Sequence, residues 1–334
     1  MGYDGTRFDA THEGGPKLKL MFFNDYRLGV LKDGGRVVDV TRAVPNAEVF
    51  PRTAAGGEVI IETVIQDFDN LRPKMEQIVA TEVGAPYAEV TVRPPIPRPP
   101  NTLCAWGNFQ DTNSPRPKKP IYYMDFFHKS ATSVVTSGDT VELPNWEEAT
   151  SFNPEPEFAY VIGKRARKLS EGQGLDHVFG YLNFADISCH GVPNRWTNFM
   201  HKSLEGFAPM GPVIVTKDEI PDPQKVRVRL YVNGVLKQDY KTDAMVQPIE
   251  EQVVWLSQLI TLQPGDVISC GTHHVGLPPI NDGDVVELEG EGLERLRFNI
   301  KSDGPRKTQY WTPGGVRRPE IWTPAPEDVP ANLA

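Results

Sequence analysis

The chain has 334 residues, a formal net charge of −9 and 39% hydrophobic residues, the balance of a globular protein with one large domain or two unequal ones. No apolar run approaches the length of a membrane span and no long basic block supplies an electrostatic footprint for nucleic acid, so neither is expected as a partner. Its cysteines, Cys104, Cys189 and Cys270, are widely spaced and odd in number, which fits neither a disulfide framework nor a zinc spacing and points to a reducing cytoplasm.

Residues 1–16 are polar and glycine-rich without an apolar stretch, and read as a flexible arm, not a secretion signal. Leu18 to Phe23, Arg27 to Leu31 and Arg36 to Val40 are apolar runs separated by Asn-Asp and Gly-Gly turns, which predicts a small antiparallel sheet. Residues 58–81 carry Ile60, Val64, Phe68 and Leu71 at helical spacing, with Pro73 expected to kink or split the helix. Val92 to Pro100 is proline-rich and reads as an extended linker closing a small N-terminal domain over 17–95.

Leu103 to Phe109 predicts a strand running into a polar loop, 110–120, followed by the aromatic stretch 121–128. Farther on, Asn233-Gly234 between Val226–Val232 and Val235–Tyr240 is the signature of a type I′ hairpin. Residues 248–262 predict an amphipathic helix with Pro248 at its first position and Glu250 and Glu251 in its first turn. Short strands follow to Ile300, and residues 303–334 form a Pro/Arg/Trp-rich tail. Many short strands with few helices make the chain β-rich α+β, not a doubly wound sheet.

The chemistry concentrates between Asn153 and Gly191. Glu155 and Glu157 open the apolar run FAYVIG, and Asp186 closes a second run, VFGYLNFAD. Alternate residues of a strand share a face, so the two glutamates project together if extended, and Asp186 needs only to arrive opposite them. Three converging carboxylates without a nearby thiolate form a hard oxygen site for Mg²⁺, Mn²⁺ or Ca²⁺. Equally, Glu-x-Glu is a common solvated strand edge, and Pro156 between the two suits an edge or a strand start. No G-x-S-x-G elbow, H-E-x-x-H helix, P-loop or strand-linked G-x-G-x-x-G is present, which sets aside serine-hydrolase, zinc-protease and nucleotide-binding readings.

Four motifs in order carry a resemblance to a known family. Pro154 to Lys164 (PEPEFAYVIGK), Ala185 to Ser188 (ADIS), Lys202 to Pro212 (KSLEGFAPMGP) and Thr242 to Met245 followed by Leu262 to Ile268 (TDAM, LQPGDVI) resemble those of the fumarylacetoacetate hydrolase (FAH) family of metal-dependent hydrolases, decarboxylases and isomerases. The resemblance spans residues 17–302, most strongly from Leu103 onward. It implies a mixed β-sandwich roll over 96–302 built around one Mg²⁺ or Mn²⁺ per subunit, with a small N-terminal domain, commonly as a homodimer. It implies Glu155, Glu157 and Asp186 as metal ligands, small β-dicarbonyl oxo acids as substrates, Lys202 as a substrate-facing cation, and Thr272, Lys129 and Asn108 as substrate-binding residues. A salt bridge, a turn-forming hydroxyl and an exposed lysine are the plain alternatives for Lys202, Thr272 and Lys129.

The chain departs from the family at three places. Thr112 and Pro115 stand where the hydrolases carry the His and Glu that activate water, His273 and His274 stand in the loop 271–276, and His190 replaces an arginine of many relatives. A hydrolytic base is still required for C–C cleavage, and His273, His274, His190 or Asp111 is the expected substitute; His128 and His201 sit beside family lysines. The leading expectation is hydrolysis of an acylpyruvate-like oxo acid in aromatic or sugar-acid catabolism. Decarboxylation or keto–enol isomerisation of an oxaloacetate-like acid needs no such base and is the alternative, and a catalytically silent metal-binding scaffold is the reading from another class.

Overall fold

A computed structural model describes residues 18–109, 124–146, 149–192 and 198–302. The arm, the tail and the polar loop with Asp111, Thr112 and Pro115 lie outside the described residues. Two sheets organise the rest, one of twelve strands and one of five. This confirms a β-rich α+β architecture.

The centre of the large sheet is the antiparallel pair Ser151–Ile162 and Val178–His190, every residue of the first being buried. One face of this pair is divided along its length. Ala159, Val161, Leu182 and Phe184 join the apolar core built with the N-terminal helices, while Glu155, Glu157, Asp186 and Ser188 continue the same alternation as a polar row. Burial of Glu155 and Glu157, 6% and 1% exposed, rules out the solvated-edge alternative. Pro156 does lie where one edge of the strand lacks a partner strand, since Val267–Ser269 pairs only with Ala159 to Val161. A residue without an N–H is tolerated there.

Close strand approach is needed to hold this pair in place. A Cβ added at Gly180 would press into the carbonyl oxygen of Val215 on the next strand and meet Ile214 Cγ2 at 2.8 Å. Gly180→Ala is therefore expected to destabilise the protein by about 1–3 kcal/mol, the usual cost of overpacking, seen as a lower midpoint in urea unfolding.

The predicted N-terminal strands form as Lys19–Phe23, Arg27–Lys32 and Arg36–Asp39. They extend the large sheet directly, with Lys19 opposite Val215. The helical stretch divides into Ala54–Gln66 and Phe68–Thr81. The break falls at Asp67, not at Pro73, which sits inside the second helix and forgoes one backbone hydrogen bond. The proline-rich stretch 92–100 is a strand only at Val92–Arg93 and bends from residue 95 to 98, packing onto the core through the buried Ile96.

The smaller sheet runs Val235–Lys241, Arg227–Val232, Val285–Gly290, Leu296–Ser302, Thr140–Leu143. Its hairpin turns at Asn233 and Gly234 with φ of 53° and 74°, the left-handed pair a type I′ turn demands. The helix Ile249–Leu259 has Pro248 at its N-cap, one position before that expected. None of the described helices is long and apolar enough to cross a membrane.

Candidate metal centre

Register creates the site. Glu155 faces Asp186 directly across the central pair, and Glu157 follows two positions on, on the same face. One carboxylate oxygen from each of the three lies within 4.8 Å of the others, and all three residues are buried. The lysines on the flank are as deeply placed. Lys202, at the end of the short helix Phe199–Lys202, brings Nζ 3.0 Å from Glu155 Oε2 and 2.6 Å from Asp186 Oδ2, and also donates to Ser188 Oγ. Lys129 Nζ is 2.7 Å from Asp186 Oδ1 and donates to the carbonyls of Phe207 (2.8 Å) and Lys202. Lys129 is thus held inside the protein, not exposed, and Lys202 does make the salt bridges considered for it.

Hydrogen bonds fix the carboxylates individually. Ser188 Oγ donates to Glu155 Oε1 at 2.6 Å. Glu157 Oε2 accepts from Ser269 Oγ and from the Gly271 N–H at 2.9 Å. Ser188 and Ser269 carry no role in the sequence reading. Alternation from Asp186 would have reached Ser188, whereas Ser269 is placed by a strand from a distant part of the chain.

Charge separates the three acids. Burial favours the protonated form of Glu155, but Lys202, His274, the Ser188 hydroxyl and His190 outweigh it and hold its pKa down to about 2. Burial raises Glu157 well above the usual carboxylate range, and the negative charges of Asp186 and Glu155 push the same way. Burial also opposes the Lys202 ammonium, yet Asp186 and Glu155 more than compensate and raise its pKa. Three carboxylates face two lysines in a buried space, and the raised pKa of Glu157 reduces the negative charge the cluster carries without a metal.

The donor set fits a hard divalent cation. All three donors are carboxylate oxygens, and Asp186 Oδ1, although beside the Lys129 charge, accepts no hydrogen bond among the described residues. A divalent ion held by the three ionised carboxylates would leave the cluster, with its two lysines, net positive, a potential suited to an anionic ligand.

The other candidates are placed in different ways. His190 lies on the same strand face as Asp186 and Ser188. Burial pushes its pKa down to about 4 against the pull of Glu155, with Lys202, His201 and His274 adding to the fall, so its imidazole is neutral near pH 7. Thr272 is buried at 3% exposure. His273 stacks on Tyr240 with ring centroids 6.2 Å apart, and its Nδ1 accepts the Val275 N–H at 3.2 Å. His274 is half-buried and electrostatically coupled to Glu155. Asn108 is engaged as a brace: its amide donates to the carbonyls of Cys270 (2.9 Å) and Gln247 (3.2 Å), and its oxygen accepts from Gln247 N at 2.8 Å. His128 is exposed.

The sequence model of the family described as Fumarylacetoacetate (FAA) hydrolase C-terminal matches residues 101–301. The chain belongs to this family. Among curated relatives of this FAH-family protein, oxaloacetate tautomerase fahd2, mitochondrial, from Xenopus laevis is 32% identical over 284 residues, 80% of this chain and 83% of that protein. Oxaloacetate tautomerase FAHD2B, mitochondrial, from Bos taurus is 33% identical over 303 residues, 86% of this chain and 88% of that one. Among solved structures, maleylpyruvate hydrolase from Sphingobium sp. SYK-6 in complex with manganese(II) and pyruvate superposes with a TM-score of 0.75 at 26% identity, over 86% of this chain and all of that one. Hydrolases and tautomerases thus both stand among the relatives of this FAH-family chain.

Proposed function

We propose that the protein enolises a small 2-oxo acid, interconverting keto and enol forms as an oxaloacetate-type tautomerase, with one Mg²⁺ or Mn²⁺ per subunit held by Glu155, Glu157 and Asp186. The observation that carries this reading is the buried carboxylate cluster flanked by two ammonium groups. A divalent ion bound there supplies Lewis acidity toward a carbonyl oxygen. Lys202 offers a cation to the negative charge that develops on the enolate oxygen. Thr272 offers a hydroxyl to the substrate carboxylate, and the neutral His190 is the side chain suited to accept the C3 proton.

This order reverses the one expected from the motifs alone. The tautomerase names of the Xenopus and cattle relatives support it, and so do Thr112 and Pro115 at the positions of the hydrolases' water-activating residues, because enolisation moves a proton and needs no activated water. C–C hydrolysis of an acylpyruvate is the second reading, favoured by the likeness to maleylpyruvate hydrolase over its whole length. In that reaction His190, His273 or His274 would act as base. A cytoplasmic homodimer belongs to the proposal and is checked by light scattering and cell fractionation.

The test is the decay of oxaloacetate enol absorbance with Mg²⁺ or Mn²⁺, run beside product analysis on a panel of acylpyruvates. Faster enol–keto exchange without new products supports the proposal. Pyruvate plus a second carboxylic acid overturns it in favour of hydrolysis, CO₂ release in favour of decarboxylation, and a metal-loaded protein inert toward every acid in favour of a silent scaffold. Lys202→Met is expected to lower kcat by roughly 10²–10³-fold, the loss typical of one charge-stabilising donor, while metal binding measured by calorimetry persists.

A further inference from the structure

Tyr240 is absent from the four family-like motifs and from the residues assigned above, yet it joins the two halves of the site. It lies on the hairpin strand Val235–Lys241 of the smaller sheet, two positions after Gln238. Its hydroxyl donates to the carbonyl oxygen of Pro156, the residue between Glu155 and Glu157. That carbonyl is on the strand edge left without a partner strand, on the side where Phe158 accepts from Cys270 N at 3.1 Å. A buried carbonyl there needs a donor from elsewhere, and Tyr240 supplies it.

The same side chain holds the neighbouring loop. Its ring stacks on His273, with an interplanar angle of 29°, and meets the edge of Phe109 with centroids 5.1 Å apart. From the same strand face, Gln238 Nε2 donates to the carbonyls of His273 and Val275. An irregularity in the hairpin, where Leu230 pairs with Gln238 but Tyr231 with Leu236, takes up one extra residue and sets Gln238 and Tyr240 toward this loop.

We propose that Tyr240 is a positioning residue: it ties the loop bearing Thr272 and His273 to the strand bearing Glu155 and Glu157, and so sets the spacing between the oxo-acid carboxylate contact and the metal. The substrate consequence rests on the enolisation reading, but the tie itself does not. The hydroxyl holds the strand and the ring holds the loop, so losing the hydroxyl frees the ring and its loop from the strand without removing any carboxylate. Polar groups that fix a bound molecule act only when held within a fraction of an ångström, which places the effect on substrate binding and not on the ion.

The experiment compares the full chain with Tyr240→Phe and Tyr240→Ala by hydrogen exchange, by Mn²⁺ titration, and by calorimetric binding of oxalate to the Mn²⁺-loaded protein. In Tyr240→Phe, amides of 271–276 are expected to exchange about tenfold faster while those of 178–190 are unchanged. Mn²⁺ affinity should stay within about twofold and oxalate affinity fall about tenfold, the equivalent of one net hydrogen bond. Tyr240→Ala, which also removes the stacking ring, should show the larger loss, and Tyr240→Phe decides the matter if it does not fold. Unchanged loop exchange overturns the proposal, as does a parallel loss of Mn²⁺ and oxalate affinity, which would make Tyr240 a brace of the metal strand alone. If the wild-type protein with Mn²⁺ binds no oxalate, the enolisation reading fails, and loop exchange still decides the tie.

Discussion

Asp186→Ala is expected to abolish divalent-metal binding and to cost about 3–5 kcal/mol of stability even in metal-free buffer, the range for removing one partner of a buried ion pair. Two effects coincide because Asp186 serves both lysines: Oδ1 is 2.7 Å from Lys129 and Oδ2 is 2.6 Å from Lys202. Lys202 would keep Glu155 at 3.0 Å, but Lys129 has no other carboxylate partner among the described residues and would be left as a buried cation among carbonyls. The stability cost therefore belongs mostly to Lys129 and the metal cost to the carboxylate. A double-mutant cycle with Lys129→Met separates them. The double variant should recover most of the lost stability in urea unfolding and none of the Mn²⁺ affinity. Full stability in Asp186→Ala alone would show that the lysines do not depend on it.

How far this centre is readable from sequence depends on the range of the contacts. Glu155 and Glu157 share a face by alternation alone, and an apolar run ending at Asp186 supplies the third acid once the two strands pair. What alternation does not contain is depth. Lys129 lies within a cage of carbonyls from Lys202 and Phe207, 73 and 78 residues away, and nothing in its local sequence distinguishes this from a solvated lysine. The same holds for Asn108, whose partners Gln247 and Cys270 come from two later segments, and for Tyr240, which acts through the unpartnered edge of another strand. The helix break shows the opposite error. Pro73 is the conspicuous local signal, yet the second helix tolerates it and the chain turns at Asp67, whose carbonyl accepts the Asn70 and Leu71 N–H groups that open that helix. The family resemblance carries the ligand set, and the departures at His190, His273 and His274 mark where the template stops being informative about chemistry.

Glu157→Gln should distinguish the carboxylates from one another. In the metal-free protein, burial together with the charges of Asp186 and Glu155 raises the Glu157 pKa, so the folded state keeps a proton that the unfolded chain releases. Stability contributed by that proton is present below the ordinary carboxylate range and declines as pH rises from there toward the raised value. Glu155 behaves oppositely: its pKa is held down from 4.5 to about 2, so its contribution is complete above the ordinary value and is lost as pH falls through that interval. Glutamine mimics the protonated form of Glu157. Metal-free Glu157→Gln should thus be at least as stable as the wild type near neutral pH, with the decline on the alkaline side flattened and the acid limb, to which Glu155, Asp39 and Asp218 contribute, unchanged. Metal binding needs the carboxylate ionised, so Mn²⁺ binding to the wild type should release protons, read by calorimetry in two buffers of different ionisation enthalpy. Glu157→Gln should release none and bind Mn²⁺ at least about 10²-fold more weakly, the direction expected when an anionic donor is replaced by a neutral one. Equal proton release in both proteins would place the displaced proton elsewhere, and the pairing of one depressed with one raised glutamate at this centre would be wrong.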